Sequence, residues 1–235
     1  MIFFLVWALY LLHQKKYLWS AIVIGISISV KLIPLMFLPI LYNYFRKNKD
    51  LNLSSLFLYY LTVGITVLLS FLPFLSWELI TNFSASITLW FQKFEFNASI
   101  YYVIREIGFK VKGYNIIESV GKILPILVFI IISALAFFKK NNSTEKLITT
   151  MLFGITAYLF LATTVHPWYL ATPLLLSAFT KFKYMILWSL LVILSYFAYS
   201  NPDFQENYWL LAIEYIGVSG YLLFEVLQKN NSRLS

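Results

Sequence analysis

The sequence has 235 residues, of which 60% are hydrophobic, 20% aromatic and only 12% charged. A soluble domain covers its surface with about a quarter charged residues, so this composition excludes a chain solvated on all sides. The net charge of +8 does not predict a nucleic-acid partner, because the Lys and Arg residues lie in short clusters between apolar blocks. Cysteine is absent, which excludes disulfides and cysteine-ligated metals, and we expect no metal site from sequence.

Long apolar blocks separated by short polar stretches indicate serial membrane-spanning helices. Barrel strands would alternate apolar and polar residues, whereas blocks 56–74 and 123–138 are apolar on every side. We predict an all-α, polytopic transmembrane helix bundle of about eight to nine spans, forming a single transmembrane domain over residues 1–235. In chain order the predicted spans are 1–12, 18–30, 32–45, 53–75, 121–138, 147–165, 169–179, 184–200 and 209–226.

The first predicted span is unusually short. Residues 1–12 fall well below the roughly 20 residues that cross a bilayer, and no polar residue precedes them. This pattern is typical of the inner part of a longer helix. We therefore expect an N-terminally truncated fragment with a truncated first span, or a start codon placed too late.

Residues 18–45 admit two interpretations. Lys31 interrupts the apolar run, so the segment is either one long tilted helix with a buried lysine or a helical hairpin with its tip at Lys31. Pro34 suits the first turn of a returning helix, where its missing N–H costs little. Each arm would have only about 13 residues, short for a span. We take the hairpin as the prediction.

The basic residues predict the orientation of the chain. In the hairpin interpretation one face collects twelve of the 18 basic residues with only three acidic ones. The positive-inside rule makes this face cytoplasmic and places the C-terminus there. The basic residues of this face are Lys15, Lys16, Arg46, Lys47, Lys49, Lys139, Lys140, Lys146, Lys181, Lys183, Lys229 and Arg233.

Residues 76–120 form one large predicted outer loop, with few charges among many aromatic residues. Trp77, Ile80 and Phe83 follow helical spacing, which predicts amphipathic helices lying in the outer membrane interface. Asn97 is a candidate N-cap of the second such helix. Acidic loop residues elsewhere, such as Glu206, are interpreted as solvated.

Lys31 and Arg105 are the candidate cations. A lysine beside an apolar span normally has a partner or a function, and at a hairpin tip it would suit a phosphate; it could equally be a snorkelling residue that marks the interface. Arg105 could clamp a phosphate with two parallel hydrogen bonds. Next to Glu106, however, it could also be an ordinary interfacial charge.

The segment His166-Pro167-Trp168-Tyr169 joins two predicted spans on the outer face. Pro167 breaks the helix, His166 and Tyr169 can hydrogen-bond a polar ligand, and Trp168 can stack on a sugar ring. The alternative is an aromatic belt, in which Trp and Tyr at the membrane interface need no further role.

Three segments together resemble the polytopic glycosyltransferases of the GT-C type, which use polyprenyl-phosphate sugars. Within that type the sequence is similar to bacterial mannosyltransferase-like membrane proteins related to the catalytic subunit of GPI mannosylation. The similarity runs along nearly the whole chain. The segments are Lys31-Leu32-Ile33-Pro34-Leu35 with Leu38-Pro39, Phe96-Asn97-Ala98-Ser99-Ile100-Tyr101, and His166-Pro167-Trp168-Tyr169-Leu170 with Pro173.

The resemblance implies inverting transfer of a sugar, mannose or another hexose, from a polyprenyl-phosphate donor on the extracytoplasmic side of a bacterial cytoplasmic (inner) membrane. It implies that Lys31 and Arg105 bind the donor phosphate. It also implies a sugar or acceptor pocket, whose residues are His166, Trp168, Tyr169, Asn97 and Tyr101. The expected partners are membrane lipid and the lipid-linked donor, no cofactor is identified, and the dependence on a divalent metal is open.

The catalytic acid of such enzymes lies in the first outer loop, and no position of this sequence matches it. We therefore assign no catalytic residue, interpret the chain as resembling the C-terminal portion of such an enzyme, and leave open whether it is an enzyme by itself. A transporter, flippase or lipid-linked polysaccharide polymerase is the main alternative, although no inverted repeat is evident. A non-catalytic membrane subunit is the other.

Overall fold

The structure is a computed structural model that describes residues 1–47 and 51–231. Within these residues it contains helices and no named strand, which confirms the all-α prediction of a helical membrane bundle. Lys49 and Arg233, two basic residues counted toward the cytoplasmic face, lie outside the described residues.

Eleven α-helices are formed by the described residues. They are α1 (Ile2–His13), α2 (Tyr17–Val30), α3 (Leu41–Lys47), α4 (Leu53–Phe71), α5 (Trp77–Gln92), α6 (Ile100–Lys112), α7 (Ile117–Phe138), α8 (Thr144–Leu161), α9 (Ala171–Ala178), α10 (Tyr184–Leu191) and α11 (Tyr208–Asn231). Short 3-10 helices cover Ile33–Phe37, Leu72–Phe74, Pro167–Leu170 and Val192–Ser200.

Within residues 1–47 and 51–231, four helices are long and apolar enough to cross a membrane: Leu53–Phe74, Ile117–Phe138, Thr144–Leu161 and Tyr208–Lys229. The large exposed side chains of Leu53–Phe74, Ile117–Phe138 and Tyr208–Lys229 are mostly apolar, as expected for surfaces that face lipid, whereas Thr144–Leu161 exposes only Glu145 and Lys146. Shorter apolar helices occupy the predicted spans 1–12, 18–30 and 184–200. The predicted span 169–179 differs, since it is the end of a 3-10 helix followed by the eight-residue α9.

The chain divides into two compact units. The first unit comprises Met1–Thr88 and Ile126–Ala157, and the second comprises Leu89–Pro125 and Tyr158–Ser235. The prediction of a single transmembrane domain stays a prediction.

In the first unit, α2 lies between α1 and α4. Ser20 donates to the carbonyl of Ala8 at 2.8 Å, and Ser27 donates to the carbonyl of Met1 at 3.0 Å, so α1 and α2 run antiparallel. The Ser20 hydroxyl is also 3.0 Å from the Tyr59 hydroxyl of α4. Close approach of α2 and α4 depends on Gly25, because a Cβ at that position would lie 2.7 Å from the Cβ of Thr66.

The chain turns back at Lys31, whose backbone is extended and ends α2. The returning arm brings Phe45 to the ring of Tyr17, with centroids 5.9 Å apart. This arm is not the helix predicted for 32–45, since the 3-10 helix Ile33–Phe37 and a turn precede α3. Two prolines, Pro34 and Pro39, account for the difference because each lacks the N–H that a continuous helix needs.

Candidate active site in the second unit

A short backbone pairing brings two sequence-distant segments together in the second unit. The Phe96 N–H donates to the Thr163 carbonyl at 3.0 Å, and the Val165 N–H donates to the Phe96 carbonyl at 2.8 Å. The Thr164 hydroxyl adds a bond to the Phe94 carbonyl at 3.1 Å. The predicted loop motif around Asn97 therefore lies beside the residues that lead into His166.

Asn97 is fully buried and adopts a left-handed backbone conformation with φ of 48°. Asn tolerates this region better than most residues. Its N–H donates to Glu206 at 2.6 Å, its carbonyl accepts from the Tyr215 hydroxyl at 2.6 Å, and its side-chain Nδ2 donates to Glu214 at 3.3 Å. We call these four residues the Asn97 network.

This network corrects two sequence predictions. Asn97 does not cap α6, because the N-cap position is Ser99 and the Asn97 side chain is directed to Glu214. Glu206 is not a solvated loop residue, since it also accepts a hydrogen bond from the Tyr102 hydroxyl. Burial raises the pKa of the Glu206 carboxyl, while the bonds from Tyr102 and Asn97 act in the opposite direction.

Arg105 is the centre of a second group, which we call the Arg105 cluster: Arg105, Glu95, Tyr101, Tyr102 and Tyr208. Its Nη1 lies 2.5 Å from Glu95, and its Nη2 donates to the Tyr208 hydroxyl at 2.7 Å. The guanidinium carbon also lies 4.3 Å from the centre of the Tyr102 ring. Burial by itself would lower the pKa of Arg105. The hydrogen bonds to Tyr208 and Glu95 have the opposite and larger combined effect, so the pKa of Arg105 is raised.

The two tyrosines of α6 hold the carboxylates of both groups. Tyr101 donates to Glu95 at 2.6 Å and lies 2.9 Å from Asn115, while Tyr102 donates to Glu206. Burial and the neighbouring carboxylates raise the pKa of both phenols. Both therefore remain neutral donors at physiological pH.

His166 is the middle of an aromatic stack formed by Phe96, His166 and Trp168. The His166 ring lies 4.3 Å from Trp168 with planes 11° apart, and 5.0 Å from Phe96 with planes 29° apart. Tyr169 meets His166 edge-on at 5.4 Å, and burial raises the pKa of its hydroxyl. Trp168 is 55% exposed, so the stack ends in an open aromatic face.

The predicted site residues therefore separate into two sets. Asn97, Tyr101 and Arg105 share one connected set of contacts with the His166 stack, through the adjacent residues Phe96 and Asn97. Lys31 lies in the first unit, where it follows α2, and partial desolvation lowers the pKa of its ammonium. Its role in phosphate binding stays a prediction.

Sequence reasoning did not single out Glu214 or Glu206 as site residues. Glu214 lies in the predicted span 209–226, and an ionisable residue in an apolar span is a signal that could have found it. Glu206 carries no such signal, because its partners Tyr102 and Asn97 are more than 100 residues away in sequence. Among the described residues, no group of three or more His, Cys, Asp and Glu side chains is arranged to hold a metal ion.

Comparison with protein-family models matches residues 1–146 to the model described as Glycosyltransferase family 87. The match covers more than half of the chain. It includes Lys31, Asn97, Tyr101 and Arg105, and it ends before His166. No curated protein and no solved structure matches.

Proposed function

This chain belongs to glycosyltransferase family 87 and is an integral membrane protein. We propose that it functions in the transfer of a hexose, mannose being the first candidate, from a polyprenyl-phosphate donor. The acceptor is a hydroxyl group on the extracytoplasmic side of a bacterial cytoplasmic membrane, and the C-terminus is cytoplasmic. The family match is the observation that carries this proposal.

The reaction consists of one bond formation, one bond cleavage and one proton transfer. An acceptor oxygen forms a bond to the anomeric carbon, the bond from that carbon to the phosphate oxygen breaks, and the acceptor proton passes to a base. The electron pair of the broken bond stays on the polyprenyl phosphate, so a fixed cation stabilises the leaving group. An aromatic face beside the sugar keeps it oriented.

Arg105 supports the phosphate assignment through one of its two amino groups. Nη1 is committed to Glu95, whereas Nη2 also contacts Glu106 at 3.1 Å, a side chain that is 58% exposed. A donor phosphate would replace Glu106 at Nη2 and leave the pair with Glu95 intact. Lys31 is proposed as a further phosphate-binding cation, on the resemblance of its segment alone.

Trp168 supports the sugar assignment, with His166, Tyr169, Asn97 and Tyr101 as the pocket residues. The exposed face of Trp168 is held in place by the His166 and Phe96 rings behind it, and such faces pack against the C–H groups of sugars. We assign the base to neither Glu95 nor Glu206. Each carboxylate already accepts at least two hydrogen bonds from the protein, so each holds other side chains in position.

The test is sugar transfer by the full chain in proteoliposomes. Radiolabelled polyprenyl-phosphate mannose is the donor, and glycolipids extracted from the source membranes are the acceptors. We expect label in a new glycosidic bond and release of polyprenyl phosphate, with both reduced at least about tenfold, or 1.4 kcal/mol, in Lys31→Ala and Arg105→Lys.

Lys122→Ala is the matched control, since Lys122 is exposed and contacts only its helical neighbour Glu118 at 3.8 Å among the described ion pairs. Transfer unaffected by Lys31→Ala and Arg105→Lys would contradict the phosphate assignment. Movement of intact donor across the bilayer without any new glycosidic bond would favour a transporter instead.

A further inference from the structure

Glu214 and Asn97 each carry a buried oxygen atom without a hydrogen-bond partner among the described residues. Both residues are fully buried, and they meet through the 3.3 Å contact from Asn97 Nδ2 to Glu214 Oε1. The atoms left over are Glu214 Oε2 and Asn97 Oδ1. Buried polar atoms are nearly always paired, so two unpaired oxygens on touching side chains need an explanation.

An ionised Glu214 would be a poor fit to its surroundings. It stands six residues into α11, about 9 Å along the axis of an apolar helix. Its donors are the neutral Asn97 amide and the neutral Trp188 indole, whose Nε1 lies 2.8 Å from Oε1. The titratable groups around it are Tyr215 and Glu206, and an ionised Glu206 would repel a second carboxylate. Burying a charge without an opposite charge is strongly unfavourable.

We propose that Glu214 is a neutral carboxylic acid at neutral pH and forms a ring of two hydrogen bonds with the carboxamide of Asn97. In this ring Oε2–H donates to Asn97 Oδ1, while Asn97 Nδ2–H donates to Oε1. The two atoms that lack partners are the two that this second bond joins. One proton on Oε2, donated to Asn97 Oδ1, therefore satisfies both atoms.

The ring makes Glu214 a positioning residue for the Asn97 network. It fixes the Asn97 side chain while the backbone stays left-handed, and that backbone directs the Asn97 N–H to Glu206 and its carbonyl to Tyr215. The neutral state of Glu214 follows from these contacts and does not depend on the proposed function. Only the expected effect of Glu214 on sugar transfer rests on the proposed function.

The first test measures the wild-type protein and needs no variant. The full chain in lipid nanodiscs is labelled with ¹³C at the glutamate carboxyl and ¹⁵N at the asparagine amide, and solid-state NMR is recorded at neutral pH. We expect one glutamate carboxyl with the shift of a protonated acid and a dipolar coupling to an asparagine side-chain nitrogen. A spectrum with only ionised carboxyls would overturn the proposal.

The second test uses Glu214→Gln and Glu214→Leu. Gln can form the same ring, because its Nε2 donates to Asn97 Oδ1 and its Oε1 accepts from Asn97 and Trp188. We expect Glu214→Gln to keep the melting temperature and to lose the protonated-carboxyl infrared band, and Glu214→Leu to melt lower. Equal destabilisation by Gln and Leu, or loss of a carboxylate band in Glu214→Gln, would contradict the ring.

A third readout separates positioning from stability alone. Sugar transfer by Glu214→Gln should match the wild type, while Glu214→Asp, whose shorter side chain cannot reach Asn97 in the same geometry, should lose transfer. If transfer is absent in every form, wild type included, the proposed function fails and the spectroscopic result still decides the ring.

Discussion

The two compact units differ in the kinds of contact found inside each of them. In the first unit, helices pack closely where side chains are small, as at Gly25 against Thr66, and polar side chains bond mainly to backbone, as Asn43 does to the carbonyls of Phe137 and Lys139 at the end of α7. Side chains of the second unit also bond to backbone groups, but in addition its carboxylates, tyrosines and one arginine form connected side-chain networks.

The difference follows from the backbone. The first unit places regular helices such as α1, α2 and α4 against one another, and such helices satisfy most of their own backbone groups, so close packing is the main requirement. The second unit contains the non-helical segment around Phe96 and Asn97, whose backbone groups need partners from elsewhere in the chain. Polar networks form where helices are interrupted, and the candidate site lies there.

The largest effect is expected from Arg105→Ala. Removing the guanidinium leaves Glu95 without its cation, and breaking such a pair costs about 3 kcal/mol when the partner is largely buried. We expect the free energy of unfolding in detergent, measured by chemical denaturation, to fall by that amount. Lys122→Ala, which breaks an exposed pair, should change it by at most about 0.5 kcal/mol. Equal losses in both variants would contradict the distinction.

Gly25→Leu tests the packing of the first unit. The new side chain would collide with the Cβ of Thr66, 2.7 Å from an added Cβ, and with the carbonyl of Val63 at 3.2 Å. Overpacking of this kind costs about 2 kcal/mol. Gly64→Leu is the matched control, since nothing lies within 4 Å of an added Cβ there. The melting temperature by size-exclusion chromatography should drop only for Gly25→Leu, and a drop for Gly64→Leu alone would refute the close contact.

Glu206 predicts a pH dependence specific to the second unit. Its pKa is raised by burial, so the folded protein binds the proton more tightly than the unfolded chain. The resulting stability is greatest below the ordinary value of 4.5 and is lost as pH rises through the higher folded value. We expect acidification from neutral pH to stabilise the wild type more than Glu206→Gln, by at most about 1.4 kcal/mol per pH unit. Parallel profiles for the two proteins would contradict this.

Trp168→Ala should have the smallest effect on stability and a selective effect on sugar transfer. Trp168 is 55% exposed, so losing its contact with His166 costs about 0.5 kcal/mol. Transfer should fall about tenfold, as expected for the loss of one stacking contact. Trp168→Phe should retain most of the activity, and Trp209→Ala, at an 82% exposed position in α11, should retain all of it. A fall of the same size in Trp209→Ala would point to a general membrane effect.

Much of the fold could be predicted from local sequence. The blocks at 53–75 and 121–138 are apolar throughout, and they form α4 with its 3-10 extension and most of α7. The segments at 32–45 and 169–179 could not be predicted as well. Their prolines divide the apolar runs into short helices, and hydropathy alone does not register the missing N–H groups. α7 begins at Ile117, within the predicted outer loop 76–120 and four residues before the predicted span 121–138.

The sequence predicts individual site residues but not their contacts. Arg105 and His166 are candidates from their residue types, Asn97 and Tyr101 are implied by the family resemblance, and the structure brings all four into one set of contacts. Their roles in binding stay predictions. Their partners depend on which distant residues the fold brings close. Nothing near Glu206 in the sequence indicates Tyr102.

The sequence by itself determined that this protein is a helical membrane protein and which segments are long and apolar enough to be candidate spans. The reason is that the cost of placing polar groups in lipid acts residue by residue, so it is visible in any window of about 20 residues. The tertiary structure alone decided that Asn97 forms hydrogen bonds with Glu206, Glu214 and Tyr215, which lie more than 100 residues further along the chain. Hydrogen bonds act over about 3 Å, and only the folded chain sets which atoms come within that distance.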